Sequence, residues 1–140
     1  MNAPFRVPGN TLCGAVLDQL RDDAAVQAVL GQPPRLFDDE TCCAAYPYAR
    51  LERHESIPIE TSEIRTVEHK ITVASYARFG GLAEAKMVLS CVSEAVTRLN
   101  LELEDQNMVL AHVVYCDVMR APDQRTFRGI IRIRIIMESA

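Results

Sequence analysis

Residues 127–137 read FRGIIRIRIIM, and this stretch decides the fold class. Apolar and charged side chains alternate along it with a period of two, which is the period of a β-strand with one buried face. We predict two opposite faces: Ile131, Ile133, Ile135 and Met137 on the core side, and Ile130, Arg132, Arg134 and Ile136 on the other. A sheet with such a strand needs a second layer over its apolar face.

The preceding segments supply both layers. Residues 82–99 carry an apolar stripe at helical spacing, which predicts a helix of about 18 residues. A further helix, in one or two pieces, is predicted to begin at Asn10 or Thr11 and to end before Gly31. Strands are predicted at 35–38, 48–59, 68–79 and 108–120. Residues 108–120 are apolar on both faces, which favours a central strand.

These elements predict an α+β fold, with a mainly antiparallel sheet of four to five strands and two main helices packed on one face. The length suits one domain. We therefore expect a flexible N-terminal arm at 1–9 and a single domain at 10–140. Residues 39–47 are predicted to be a loop. Residues 60–67 are polar and patternless, and we interpret them as an exposed hairpin loop.

Composition gives no general argument for a nucleic-acid or membrane partner. The net charge is −4, although residues 120–140 carry five arginines against two carboxylates. Such a dipolar chain suits head-to-tail protein contacts better than a nucleic-acid site. No apolar run approaches the roughly 18 residues of a membrane helix, and the start has no apolar segment typical of a signal peptide. We therefore expect a soluble protein that is made in the cytosol and does not associate with a membrane.

Catalytic and metal-binding patterns are missing from the sequence. His54, His69 and His112 share no metal-ligand spacing, and we expect each to be a surface or partly buried imidazole. Cys42 and Cys43 follow an acidic run at 38–40, which would raise a thiol pKa and so disfavour a nucleophile. The sequence therefore predicts no cofactor, no metal and no catalytic residue.

Several segments, in this order and spacing, resemble a known family between about Leu12 and Met137. They are AAVQAVLG at 24–31, RLFD at 35–38, PY at 47–48, EHKITV at 68–73, SYARFGGLAEAK at 75–86 and DQRTFRGIIRIR at 123–134. The pattern resembles the tail-completion, or tail-terminator, proteins of long-tailed phages, prophages and gene transfer agents. None of these segments is a catalytic motif.

The resemblance implies a structural virion protein and not an enzyme. It implies a homo-hexameric ring that caps the head-proximal end of the tail tube and joins it to the neck. The implied partners are other copies of the chain, the tail tube protein and a head-completion or neck protein. DNA would pass through the ring lumen without sequence-specific binding, and the subunit would move from the host cytoplasm into the particle.

Two alternatives remain at this stage. One is a neck or head–tail connector protein, and the other is a small enzyme or ligand-binding α+β domain that uses Cys42 and Cys43. Under the ring hypothesis, candidate interface residues lie on the non-core sheet face and in the hairpin loop, because a mixed polar and apolar face suits a subunit contact. They are Glu60, Ser62, Glu63, Arg65, Lys70, Tyr76, Arg132 and Arg134.

Overall fold

The computed structural model describes residues 10–38, 44–59 and 65–139. The predicted arm at 1–9 and the Cys42–Cys43 pair lie outside the described residues. So do three candidate interface residues, Glu60, Ser62 and Glu63.

The described residues form three helices and six strands. The helices are α1 (Asn10–Asp22), α2 (Ala24–Leu30) and α3 (Gly81–Thr97). The strands are β1 (Leu36–Phe37), β2 (Tyr48–Ile59), β3 (Thr66–Ala77), β4 (Glu102–Leu103), β5 (Gln106–Arg120) and β6 (Phe127–Ser139). The α+β class is confirmed, but the strand count is higher than predicted. The additional strand, β4, has two residues, which is too short to show a period in sequence.

Local signals in the sequence set the helix ends. The Asp23 carboxylate accepts a hydrogen bond from the Ala25 backbone N–H at 2.9 Å, which caps α2 immediately after α1 ends. Gly31 ends α2 with a φ of 93°, and Gly81 begins α3 with a φ of 64°; both values favour glycine. The Asp23 cap starts α2 directly after α1 ends, which explains why the first helical segment is divided in two.

The sheet order is β1-β2-β3-β6-β5-β4. Only the short β1–β2 pair is parallel, and the other pairs are antiparallel. The helices cover one face, where α3 packs over β3, β6 and β5 while α1 packs beside α2 and β1. The core is a single cluster that includes Val88 and Val92 of α3 and Ile131, Ile133 and Ile135 of β6.

The two predicted faces of β6 are confirmed. Ile131, Ile133 and Ile135 are at most 1% exposed and belong to the core, and Met137 continues the same face. Arg132, between them, is exposed. We call the face opposite the helices the outer face.

The prediction that 108–120 is a central strand is wrong. Its outer neighbour, β4, pairs only with Gln106 and Asn107, so β5 is an edge strand beyond that point. Register shifts interrupt its pairing with β6 around Val109 and again around Val114. These β-bulges disturb the alternation, and both valines are about half exposed, at 51% and 45%. The apolar residues on the two faces of β5 therefore include exposed side chains, and they do not show that the strand is buried.

The predicted hairpin loop at 60–67 is too long. Thr66 and Val67 already belong to β3, where they pair with Ile59 and Pro58 of β2 and with the end of β6. Cross-strand pairing on both sides fixes them in the sheet despite the polar sequence before them. The connection between β2 and β3 is therefore residues 60–65.

Candidate assembly surface

The outer face is organised in rows that cross β2, β3, β6 and β5. Strand pairing places one residue of each strand at the same level, and alternation directs the four side chains to one side. Three of these rows are adjacent to one another. Read from β2 to β5, they are Arg53–Thr72–Arg132–Tyr115, Glu55–Lys70–Arg134–His112 and Ile57–Glu68–Ile136–Leu110.

The structure brings four of the predicted interface residues together on this face. Lys70 and Tyr76 lie on β3, and Arg132 and Arg134 lie on β6. Arg65 is separate: it is exposed at the end of the sheet, where its carbonyl accepts a hydrogen bond from the Ser139 N–H at 2.9 Å. Their role in an interface stays a prediction.

Arg132 and Arg134, the two predicted interface arginines of β6, differ in their surroundings. The Arg134 Nε donates to the Glu68 Oε2 at 2.8 Å, and the Lys70 ammonium lies 3.7 Å from the other oxygen of Glu68. The hydrogen bond from Arg134 holds the pKa of the Glu68 carboxyl below its usual range. Arg134 is therefore engaged within its own chain, and the sequence pattern could not show this.

Arg132 is the better candidate for contact with another protein. Its guanidinium lies over the Tyr115 ring, 5.0 Å from the centroid, and it forms no salt bridge with any carboxylate in the described ranges. A cation–π contact at an exposed site stabilises by only about 0.5–1 kcal/mol. Within the described part of the chain, no carboxylate therefore competes with a partner protein for the guanidinium donors of Arg132.

Tyr76 belongs to an aromatic cluster at one end of the outer face. Its ring stacks on Tyr48 with the centroids 4.9 Å apart, and Arg50 donates to its hydroxyl at 3.2 Å. Nearby, Phe79 packs edge-on against Tyr46 and is 84% exposed. Exposed aromatic side chains are enriched at protein interfaces, so this end of the sheet also suits a protein contact.

A groove of about 850 Å³ runs between α3 and β5. Its walls combine apolar side chains such as Leu89 and Val118 with serines, Glu94 and Asp117. The groove lies where α3 packs against the edge of the sheet at β5. None of its lining residues is a histidine, and the thiol of its cysteine, Cys116, lies 3.9 Å from the Ser93 hydroxyl.

The structure also reveals a histidine pair that the sequence did not predict. The His54 Nε2 lies 2.9 Å from the His69 Nδ1, and the Ser56 Oγ is within 3.3 Å of both nitrogens. His69 is fully buried, so the expectation of a surface or partly buried imidazole is wrong for this residue. Burial, and to a lesser degree the neighbouring His54, lowers the pKa of His69 to about 4.

This pair does not form a nucleophilic site. The Cys13 Sγ lies 3.2 Å from the His54 Nδ1, but burial and the Asp38 charge raise the pKa of the thiol, while burial lowers the pKa of His54. The thiol therefore keeps its proton and the imidazoles stay neutral near pH 7. Among residues 10–38, 44–59 and 65–139, no three His, Cys, Asp or Glu side chains are arranged to hold a metal ion. Nor is any helix in these ranges long and apolar enough to cross a bilayer.

Comparison of the chain with models of protein families identifies the class of protein to which it belongs. The family model described as "Tail completion protein gp17" matches residues 14–138. The chain belongs to this tail-completion family. It is a structural protein and not an enzyme, as the sequence resemblance implied.

Solved structures share the fold of this tail-completion protein. A chain from the virion of a native gene transfer agent particle is similar over 91% of this chain and 94% of its own, with 22% identity and a TM-score of 0.80. The gp17 protein of bacteriophage SPP1 is similar over 90% of this chain and 88% of its own, also with 22% identity and a TM-score of 0.59. A comparison with curated protein sequences gives no match.

Proposed function

We propose that this protein is the subunit of a homo-hexameric ring that caps the head-proximal end of the tail tube and joins it to the neck. The observation that carries the proposal is the family match over residues 14–138. The likeness to a chain of a gene transfer agent virion supports a place in a phage or phage-like particle. In this role the subunit assembles in the host cytoplasm, contacts the tail tube protein and a head-completion or neck protein, and surrounds DNA without reading its sequence.

The chemistry of the surface supports assembly. A head-to-tail ring needs two different surfaces on each subunit, because each interface joins one surface to the other. The described part of the chain offers such surfaces: the outer face with Arg132, the aromatic end with Phe79, and the apolar edge strand β5.

Electron microscopy of the purified particle tests the proposal. We expect density for six copies of this fold in a ring between the tail tube and the neck. The chain as a monomer inside a purified tail, or in a ring bound to the head side away from the tube, would contradict it. The second result would instead favour a head–tail connector.

Charge reversal at Arg132 should impair assembly without unfolding the subunit. Arg132→Glu should change the free energy of unfolding by about 1 kcal/mol or less, because the side chain is exposed and loses only its cation–π contact with Tyr115. The variant should nevertheless enter tails poorly, since the outer face loses its free guanidinium and gains a carboxylate. Chemical denaturation and quantification of the subunit in purified particles measure the two effects.

Arg125→Glu is the matched control. Arg125 is also an exposed arginine, but it lies in the turn between β5 and β6 and not on the outer face. It should enter particles as the wild type does. Normal incorporation of Arg132→Glu would show that the outer face is only a solvated surface.

A further inference from the structure

Both long edges of the sheet have free backbone groups. On the β5 side, β4 pairs only with Gln106 and Asn107, and within the described ranges no strand pairs with the outer edge of residues 108–120. On the other side, β1 pairs only with Ala49 and Arg50, which leaves residues 51–59 of β2 equally open in this part of the chain. Open edges present unpaired N–H and C=O groups that can pair with another strand.

The directions of these two edge strands suit each other. All pairs among β2, β3, β6 and β5 are antiparallel, so β2 and β5 run in opposite directions. A second copy that continues the sheet in the same strand order would therefore place its β2 antiparallel to β5 of the first copy. The new pair would be antiparallel like its neighbours, and the β5 bulge at Val114 would also be present in its pairing with the next copy.

We propose that β5 of one copy pairs with β2 of the next copy, so that a continuous sheet runs around the assembly. This inference rests on the proposed ring and names the surfaces that build it. The contact joins two different edges, so it can be repeated from copy to copy, as a ring requires. Pro58 has no N–H to donate, so the paired stretch of β2 is residues 51–57.

The three outer-face rows are complementary when they continue straight into the next copy. Tyr115 then lies opposite Arg53 of the next copy, where the guanidinium can pack on the ring. His112 lies opposite Glu55 of the next copy, a pair of favourable charge when the imidazole is protonated and a hydrogen bond when it is neutral.

The third row adds an apolar pair. Leu110 lies opposite Ile57 of the next copy, and Ile57 is 43% exposed within a single copy. Pairing would remove both side chains from water.

Other registers match less well. A shift by one residue would place core-side residues on the outer face. A shift by two residues in one direction sets Arg53 of the next copy against His112 and Glu55 of the next copy against Leu110. The opposite shift sets Glu55 of the next copy against the face of Tyr115 and Ile57 of the next copy against His112. Only the straight register gives a favourable contact in all three rows: a cation–π contact, a histidine–carboxylate pair and an apolar pair.

Disulfide trapping of full-length protein tests this register. Two double variants are made in a background of Cys42→Ser, Cys43→Ser and Cys116→Ser. One is Ile57→Cys with Leu110→Cys, and the other is Ser56→Cys with Ala111→Cys. The two pairs are adjacent in register, so one of them is of the non-hydrogen-bonded type, whose side chains approach more closely. Oxidation at high protein concentration should give a ladder of covalent oligomers with at least one double variant.

The matched control is Ile57→Cys with Ile136→Cys. Ile136 lies in the same row and on the same face as Leu110, but it is on β6, one strand further from the new contact. Its side chain would be about 10 Å from Ile57 of the next copy, beyond disulfide reach. We expect no ladder from this variant.

The results separate the contact from the function. No ladder from either double variant, or an equal ladder from the control, overturns the edge pairing. If the ladder is missing but microscopy finds the ring at the tail end, the proposed function stands and another surface builds the ring. If the ladder forms but particles lack the chain at the tail end, the edge pairing stands and the proposed function fails.

Discussion

Replacing Ile133 by alanine should lower the free energy of unfolding by about 2–5 kcal/mol, the usual range for truncating a fully buried aliphatic side chain. Ile133 is 0% exposed, and it lies between Ile71 of β3 and Val113 of β5 in the middle of the sheet. Neighbours fixed by backbone pairing on both sides cannot close the cavity. Since small domains are stable by only about 5–15 kcal/mol, the loss should be evident in urea or thermal denaturation.

Ile136→Ala provides the comparison on the same strand. Ile136 lies on the outer face and is partly exposed, so its truncation should cost clearly less, about 1 kcal/mol or below. A larger loss at Ile136 than at Ile133 would mean that the two faces of β6 are reversed.

Acidification should destabilise the protein between about pH 6.5 and pH 4, before most carboxylates are protonated. His69 has a pKa of about 4 in the folded chain and an ordinary value near 6.5 when unfolded. The unfolded state therefore binds more protons in this window. The stabilising effect of the neutral imidazole is complete above pH 6.5 and is lost as the pH falls towards 4. The total loss should be on the order of 3 kcal/mol.

Unfolding measured in urea at several pH values checks this expectation. His69→Gln should reduce the loss of stability between pH 7 and pH 4.5, because the buried titrating group is gone. His112→Gln should behave like the wild type, since His112 is exposed on β5. A wild-type free energy of unfolding that does not change across this window would contradict the assignment. Losses below about pH 4 belong to Glu68 and Asp23, whose carboxyl pKa values are held low by Arg134 and Arg98.

Periodicity in the sequence was enough to predict most of the helices and strands and the two faces of β6. The bounds of β2, Tyr48–Ile59, agree with the predicted strand, and the stripe at 82–99 agrees closely with α3. The core side of β6 also follows from alternation alone. These properties depend on local geometry, so local sequence specifies them.

Position in the sheet and long-range pairs could not be predicted in the same way. Alternation shows which face a side chain occupies but not which strand lies beside it, so the apolar β5 suggested a central position. The contact between His54 and His69 depends on the register between β2 and β3. The connection between these strands was predicted to be longer than it is, so this register could not be predicted. The pairing of Arg134 with Glu68 requires that β3 and β6 are adjacent in the sheet, although the two residues are 66 positions apart in the sequence.

The bulge at Glu52 has a consequence for how relatives of this protein can vary. Ala49 and Leu51 point to the core before the register shift, and His54 and Ser56 point to it afterwards, so an odd spacing separates the two sets. Deletion of Glu52 would join Leu51 directly to Arg53, whose partners Val73 and Thr72 are already adjacent on β3, so β2 would become regular and both sets would keep their faces. Relatives without this extra residue should therefore keep the same apolar and charged positions on either side of a one-residue gap. A single insertion or deletion elsewhere in β2 would instead turn one of the two sets to the opposite face. The bulge thus marks the place in β2 where an alignment of the family can accept a one-residue gap.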